Sequence, residues 1–127
     1  MKFGSFKAVN PDKNLKCAIH KTGRLGFTEM SIKKLDIENK RFINIGQNLD
    51  DENDKDIYMV VKATEDEFSF KTNKAGGYYY ANTKELFDML KLDYVNMTII
   101  YDIIDTNEMD QDGNKYYRLK RREKERK

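Results

Sequence analysis

Basic side chains gather around a glycine-containing turn and the short helix predicted to follow it. Lys21 precedes the turn, Arg24 follows Gly23 within it, and Lys33 and Lys34 lie in the helix. Ammonium and guanidinium groups clustered in this way bind phosphate oxygens, with an affinity that is independent of base sequence and falls with salt. The same residues would also suit an ordinary solvated helix face, and the sequence leaves both interpretations open.

A second basic group lies near the carboxyl end of the chain. Its candidates for nucleic-acid binding are Arg118, Arg121 and Arg122. Residues 1–34 and residues 115–127 each carry eight Lys or Arg against two Asp or Glu, whereas residues 35–114 carry eight against eighteen. The net charge of +2 therefore conceals two basic ends, where a polyanion is expected to bind.

Seven Phe and eight Tyr offer a different kind of contact. Aromatic rings exposed on a sheet beside Lys and Arg can stack on unpaired bases. Because successive residues of a strand face opposite sides, about half of the rings must point into the core. We expect Tyr79, Tyr116 and Arg118 to be exposed, so single-stranded nucleic acid is an alternative ligand to duplex DNA.

Few residues of this chain are suited to catalysis or to metal binding. Cys17 and His20 are the only residues of their types. Because they are three residues apart on a predicted strand, their side chains face opposite sides of the sheet and cannot form a catalytic Cys–His pair. Zinc would lack its usual ligands. One polar loop spaces its carboxylates as calcium ligands are spaced, but lacks the glycine and final glutamate of that motif. We therefore expect no enzymatic activity, no cofactor and no metal.

A single cysteine cannot form an intrachain disulfide and favours a reducing compartment. The first residues contain no apolar signal-peptide core, and no apolar run approaches the about 18 residues of a membrane span. We expect a cytoplasmic protein with no membrane contact.

Hydrophobic patterning predicts a mostly β protein of the α+β kind, forming one domain over residues 1–127. Helices are expected at 29–35, with Thr28 as the N-cap, and at 83–90, where Asn82 and Glu85 resemble a capping box. Strands are expected at 16–22, 24–27, 41–46, 57–63, 67–72, 78–80, 98–105 and 115–121. The basic tail, residues 120–127, is expected to fray.

The predicted elements form two halves of the same order, ββαββ. The first internal repeat spans about residues 16–63 and the second about residues 67–121. Apolar trios occupy matching positions in the two halves, Ile32, Leu35 and Ile37 in the first and Phe87, Leu90 and Leu92 in the second. A unit this small buries its apolar face poorly alone, so the two halves should close around one shared core.

Residues 23–37, GRLGFTEMSIKKLDI, resemble the signature of AbrB-type swapped-hairpin DNA-binding domains. The matching residues are Gly23, Arg24, Leu25, Phe27, Lys33, Leu35 and Ile37. Thr28 stands where the family has proline, and Asp36 where it has glycine. In the second half, Gly76 and Gly77 replace the Gly-Arg pair, and no equivalent basic set survives.

The resemblance implies a swapped-hairpin-like β-barrel in which each half contributes ββαββ. The chain would then be a fused pseudo-dimer, acting as a monomer with internal pseudo-symmetry or as a homodimer. It also implies that Arg24 and Lys33, with Lys34 adjacent, contact DNA.

The sequence thus predicts a small nucleic-acid-binding protein, either a DNA-binding regulator or an architectural factor. Its candidate contact residues are Lys21, Arg24, Lys33, Lys34, Arg118, Arg121 and Arg122. One alternative is a protein–protein interaction module with the same barrel and no nucleic-acid role, which the acidic middle of the chain favours. The other is a single-strand binder that uses the aromatic residues of the sheet.

Overall fold

Eight strands and two short helices are found in the part of the chain that the structure, a computed structural model, describes, namely residues 1–6 and 15–126. The strands are β1 (Leu15–Ile19), β2 (Leu25–Phe27), β3 (Phe42–Gln47), β4 (Ile57–Lys62), β5 (Phe70–Ala75), β6 (Tyr78–Ala81), β7 (Met97–Met109) and β8 (Lys115–Glu125). The helices are α1 (Glu29–Lys34) and α2 (Lys84–Met89).

The strands close into one antiparallel barrel in the order β1-β2-β6-β5-β3-β4-β8-β7, and β1 pairs with β7 to complete the circle. The longest ladder joins β7 to β8, from Met97 opposite Glu125 to Met109 opposite Lys115. Closure pairs both sides of every strand, which removes the exposed edges that promote aggregation. The prediction of a mostly β barrel with two short helices is confirmed.

Alternate strand residues fill the barrel interior, as the period of a strand requires. Cys17 and Ile19 of β1 and Ile99 and Tyr101 of β7 are all at most 2% exposed. Helix α2 adds Phe87, which is fully buried in the same core. Because removing a buried aromatic ring costs about 3–5 kcal/mol, Phe87 is a major source of stability that one substitution would remove.

Hydroxyl groups hold helix α1 against β1. Thr28 is the N-cap, as predicted, and its Oγ1 accepts the Ser31 N–H at 3.4 Å. The fully buried Ser31 hydroxyl donates to the Lys16 carbonyl at 2.9 Å and accepts the Lys16 N–H at 2.8 Å. These bonds satisfy buried polar groups on both elements, so they fix the helix to the strand.

Helix α2 begins differently from the prediction. Its N-cap is Thr83, and no side chain caps the helix, so the capping box expected from Asn82 and Glu85 is wrong. The buried Thr83 hydroxyl instead donates to the Gly23 carbonyl at 2.9 Å. This long-range bond displaces local capping and fastens the start of α2 to the turn between β1 and β2.

Strand β5 begins at Phe70, later than the sequence predicts. The Asp66 carboxylate accepts the Phe68 N–H at 2.9 Å and the Ser69 hydroxyl at 3.1 Å. These bonds stabilise a turn where the alternating pattern predicts extended chain, because short polar side chains compete with strand pairing for backbone N–H groups.

The carboxyl end also differs from the prediction of a frayed tail from residue 120. Strand β8 continues to Glu125 and remains paired with β7 over that stretch. Beyond it, the Arg126 guanidinium donates to the Tyr94 carbonyl at 3.0 Å and to the Ile19 carbonyl at 3.2 Å. Pairing with a long apolar strand therefore orders a segment whose own composition favours solvent.

Candidate functional site

Tyrosine and arginine side chains form one candidate surface on the outside of β2 and β6. In the antiparallel register, Phe27 lies opposite Tyr79 and Gly26 opposite Tyr80. Tyr79 is only 5% exposed and belongs to the core, whereas Tyr78 and Tyr80 are half-buried. The prediction that Tyr79 is exposed is therefore wrong, because its pairing with Phe27 places both rings inside the barrel.

Four side chains make up this surface, which we call the tyrosine–arginine face: His20, Arg24, Tyr78 and Tyr80. The Arg24 Cζ atom lies 4.5 Å from the Tyr80 ring centroid. The Tyr78 and Tyr80 rings are stacked, with centroids 6.0 Å apart and an interplanar angle of 23°. The Tyr78 hydroxyl is hydrogen-bonded to His20 Nε2 at 2.6 Å. Partial burial also raises the pKa of Tyr78, so the ring stays neutral at physiological pH.

Gly26 makes room for the tyrosine–arginine face. A Cβ atom at this position would lie 1.9 Å from the Tyr78 Oη and 2.6 Å from its Cζ. The absence of a side chain therefore allows the Tyr78 ring to lie across β2. Gly26 lies in a strand that the sequence predicts, but its role emerges only from the pairing of β2 with β6.

Arg24 of this face and its neighbour Lys21 keep their positive charge available to a ligand. Lys21 and Arg24 are exposed, and within residues 1–6 and 15–126 no carboxylate lies within ion-pair distance of either. An arginine stacked on an aromatic ring retains its N–H donors at the guanidinium edge. These groups can bind phosphate without first giving up an internal partner.

The two lysines of helix α1 lie beyond the other end of β2 from Arg24. Arg24 precedes β2 and α1 follows it, so the whole of β2 lies between them in the chain. Lys33 pairs with Glu29 at 3.4 Å, and these side chains are 75% and 82% exposed. Such a pair is screened by water and weak. Lys34 is exposed and has no ion pair among the described residues.

The outer side of β8 carries the second candidate surface, the basic ridge, made of Arg118, Lys120 and Arg122. These residues alternate with the fully buried Leu119, so they share the outer face. Arg118 Nε donates to Asp56 at 2.8 Å, and its Nη2 donates to Asp54 at 3.2 Å.

Arg122 is bound in a similar way. Its Nε lies 3.0 Å from Asp102 Oδ2, and its Nη2 lies 3.1 Å from Asp102 Oδ1. This paired geometry uses the edge of the guanidinium that would bind a phosphate. The ridge is therefore largely neutralised by the protein itself.

Asp54 is the most buried of the carboxylates that bind the arginines of the basic ridge. Its side chain is 7% exposed, it accepts a short hydrogen bond from the Tyr58 hydroxyl, and it contacts Arg118. The Tyr58 bond above all lowers the pKa of Asp54 to about 2. In return, the bond to Asp54 raises the pKa of Tyr58, and the bond to Asp56 raises the pKa of Arg118.

Arg121 and Tyr116 complete the predicted set. Arg121 has the opposite orientation to its neighbours on β8: it lines a small cavity with Tyr101 and Leu119, and its Nε lies 3.5 Å from Glu123. Burial raises the pKa of Tyr101 to about 12. Tyr116, predicted to be exposed, is half-buried opposite Val60.

Cys17 and His20 lie in different environments. Cys17 is 1% exposed, and burial raises the pKa of its thiol, which leaves the sulfur in its unreactive form. His20 is exposed and bound to Tyr78. Within the described ranges, no group of three or more His, Cys, Asp or Glu side chains is arranged to hold a metal ion.

The sequence indicates Arg24 and Lys21 as binding residues, but it predicts that Tyr79 is exposed, whereas Tyr78 and Tyr80 are the tyrosines that complete the face. An unbroken Tyr-Tyr-Tyr run gives no indication of which rings point outward, and only the pairing of β6 with β2 decides it.

Comparison with protein-family models, curated proteins and solved structures found no match to this chain. None of the helices in the described ranges has the length and apolarity needed to cross a membrane.

Proposed function

We propose that this chain is a small nucleic-acid-binding protein that uses the tyrosine–arginine face. The observation that carries the proposal is the stack of Arg24 on Tyr80 and of Tyr80 on Tyr78, beside basic residues that have no ion pair among the described residues. Arg24 and Lys21 would bind phosphates, and the exposed parts of the rings and the guanidinium plane would contact bases. Lys33 and Lys34 would extend the phosphate contacts.

Unpaired bases fit this face better than a duplex does. A ring on a convex sheet can stack only on a base whose face is exposed, whereas bases in a duplex are stacked on one another. Single-stranded nucleic acid is therefore the preferred form in this proposal. A DNA-binding regulator of the AbrB type, which would read duplex DNA, is the form that the resemblance favours instead.

Fluorescence anisotropy with labelled single-stranded and duplex oligonucleotides tests the proposal. If the protein contacts four phosphates of a single strand, raising the salt concentration from about 50 to about 200 mM should weaken binding about fiftyfold. Tighter binding of the single strand would support stacking on the face, and tighter binding of the duplex would support the AbrB-type alternative. Absence of binding at about 50 mM salt would reject both.

We also propose that the two halves are copies of one ββαββ unit, in an arrangement similar to that of AbrB-type dimers. Exchanging β1–β4 with β5–β8 leaves every pair of neighbouring strands in the barrel unchanged, which supports this view. The helix ends match as well: Asp36 after α1 has φ 54° and Lys91 after α2 has φ 58°. Both are left-handed positions usually taken by glycine.

Co-expression of residues 1–65 and residues 66–127 as separate chains tests the duplication. If the halves are complementary units of one barrel, the two fragments should copurify as a folded 1:1 complex. Fragments that remain unfolded when mixed would contradict the proposal.

A protein-interaction module without a nucleic-acid role is the second candidate. The observation that favours it is the neutralised basic ridge. Arg118 and Arg122, which the sequence predicts to bind a polyanion, form ion pairs with carboxylates of the protein itself, namely Asp54, Asp56 and Asp102. A pull-down that recovers one protein partner equally well with and without nuclease, from a chain that binds no oligonucleotide, would establish this function. In either role we propose that the chain has no enzymatic activity and acts in the cytoplasm.

A further inference from the structure

A groove lies between helix α2 and the loop that joins β3 to β4. Its volume is about 550 Å³, which is within the size range of ligand-binding clefts. Its apolar lining consists of Ile45, Leu49, Ile57, Leu86, Met89 and Leu90. None of the residues that line the groove belongs to the tyrosine–arginine face, which is formed by β2, β6 and the turn before β2.

Several apolar side chains of this groove are exposed to water. Leu49 is 86% exposed, Met89 is 69% exposed and Leu90 is 41% exposed. A cluster of this kind costs free energy in solution and is characteristic of a surface that is covered by a partner. Methionine in particular adapts its shape to different apolar ligands.

Charge around the groove restricts what can cover it. The β3–β4 loop carries Asp50, Asp51 and Glu52, all exposed and without an ion pair among the described residues. Asp54 and Asp56 in the same loop are already bound to Arg118. A complementary occupant therefore combines large apolar side chains with positive charge.

The amino-terminal segment of the chain has this composition. Phe3 is 81% exposed and Phe6 is 99% exposed, so in this structure neither ring occupies the groove of its own molecule. Lys2 precedes the first ring in the sequence, and Lys7 follows the second. Residues 1–6 contain no acidic side chain.

We propose that the groove is the docking site for the amino-terminal segment of a second copy of this chain. Phe3 and Phe6 enter between Leu49 and Met89, and Lys2 faces the acidic loop. Because each copy has both a segment and a groove, reciprocal exchange makes a closed dimer with two-fold symmetry. This inference is independent of nucleic-acid binding.

Sedimentation equilibrium of the full chain, from about 10 µM to 1 mM, measures the association. The wild-type chain should form dimers over this range. Phe3→Ser with Phe6→Ser removes the segment's rings, and Leu49→Ser with Met89→Ser removes the groove's apolar wall. Each double variant should weaken dimerisation at least about tenfold, the loss expected when an aromatic side chain is no longer buried.

All four positions are exposed, so the variants should keep the wild-type circular dichroism spectrum and unfolding temperature. Phe68→Ser is the matched control, because Phe68 is a 71% exposed ring that does not line the groove. It should leave dimerisation unchanged. The triple variant Asp50→Asn, Asp51→Asn and Glu52→Gln should weaken the dimer and reduce its dependence on salt.

A mixture of the two double variants gives the sharpest result. The segment variant keeps an intact groove and the groove variant keeps an intact segment, so together they can form one of the two contacts. Association that appears only in the mixture would establish the exchange. A wild-type chain that is monomeric at 1 mM, or a groove variant that dimerises as well as the wild type, would overturn it.

Discussion

Arg24 and Arg122 are both exposed arginines on the outside of the same barrel, yet their surroundings differ. Arg24 lies 4.5 Å from the centroid of the Tyr80 ring, whereas Arg122 is held by both oxygens of Asp102 at 3.0 and 3.1 Å. The first contact leaves the N–H donors of the guanidinium available, and the second uses two of them. The number of basic residues in a segment therefore overstates the charge it can offer to a ligand.

The same contrast holds for the surfaces to which these residues belong. The tyrosine–arginine face combines stacked rings with a cation that has no ion pair among the described residues, and the basic ridge combines cations with partly buried carboxylates. In the sequence the ridge is the more basic segment, but in the folded chain the acidic β3–β4 loop binds Arg118 and removes much of that excess. We therefore expect the ridge to contribute mainly to stability and the face mainly to binding.

The largest effect on the tyrosine–arginine face should come from Gly26→Ala. The added Cβ collides with the Tyr78 ring, so the ring must move or the pairing of β2 with β6 must distort. Overpacking of this kind costs about 1–3 kcal/mol, measurable by urea denaturation. In a Tyr78→Ala background the same substitution should cost much less. An equal cost in both backgrounds would show that Tyr78 is not the obstacle.

A smaller difference should separate the arginines in stability. Arg118→Ala leaves the 7% exposed Asp54 side chain without its cation, so it should lower the unfolding temperature by several degrees. Arg24→Ala removes only an exposed stacking contact, worth about 0.5–1 kcal/mol. Thermal unfolding of the two variants side by side makes the comparison. A larger loss for Arg24→Ala would reverse the roles we assign to the two surfaces.

The smallest expected effect is a dependence of ridge stability on pH. The pKa of Asp54 is lowered to about 2 in the folded chain, so its ionised form stabilises the fold above the unfolded pKa of about 3.9. That contribution is lost as the pH falls from about 4 to about 2. The gap in unfolding temperature between the wild type and Asp54→Asn should therefore shrink over this window. A constant gap would mean that the carboxylate charge is not what Asp54 contributes.

Local patterns in the sequence were sufficient to predict much of this fold. Alternation located all eight strands, and the Thr28 cap of α1 was predicted because its partners are within one turn. Other features depend on the pairing of β2 with β6, which are far apart in the chain, so the sequence does not reveal them. They are the bond from Thr83 to Gly23 and the outward orientation of Tyr78 and Tyr80. Asp54 and Arg118 are also far apart in the chain, so the sequence indicates the arginine but not its acidic partner.

The central claim is that the tyrosine–arginine face, and not the basic ridge, binds nucleic acid. Anisotropy titrations of a labelled single-stranded oligonucleotide with the wild type, Arg24→Ala and Arg122→Ala test it most directly, because both variants lose one positive charge. We predict that Arg24→Ala weakens binding at least about tenfold, as loss of a base-stacking or phosphate contact would. Arg122→Ala should remain within about threefold of the wild type, close to the effect of net charge alone. Equal losses, or a larger loss for Arg122→Ala, would contradict the account.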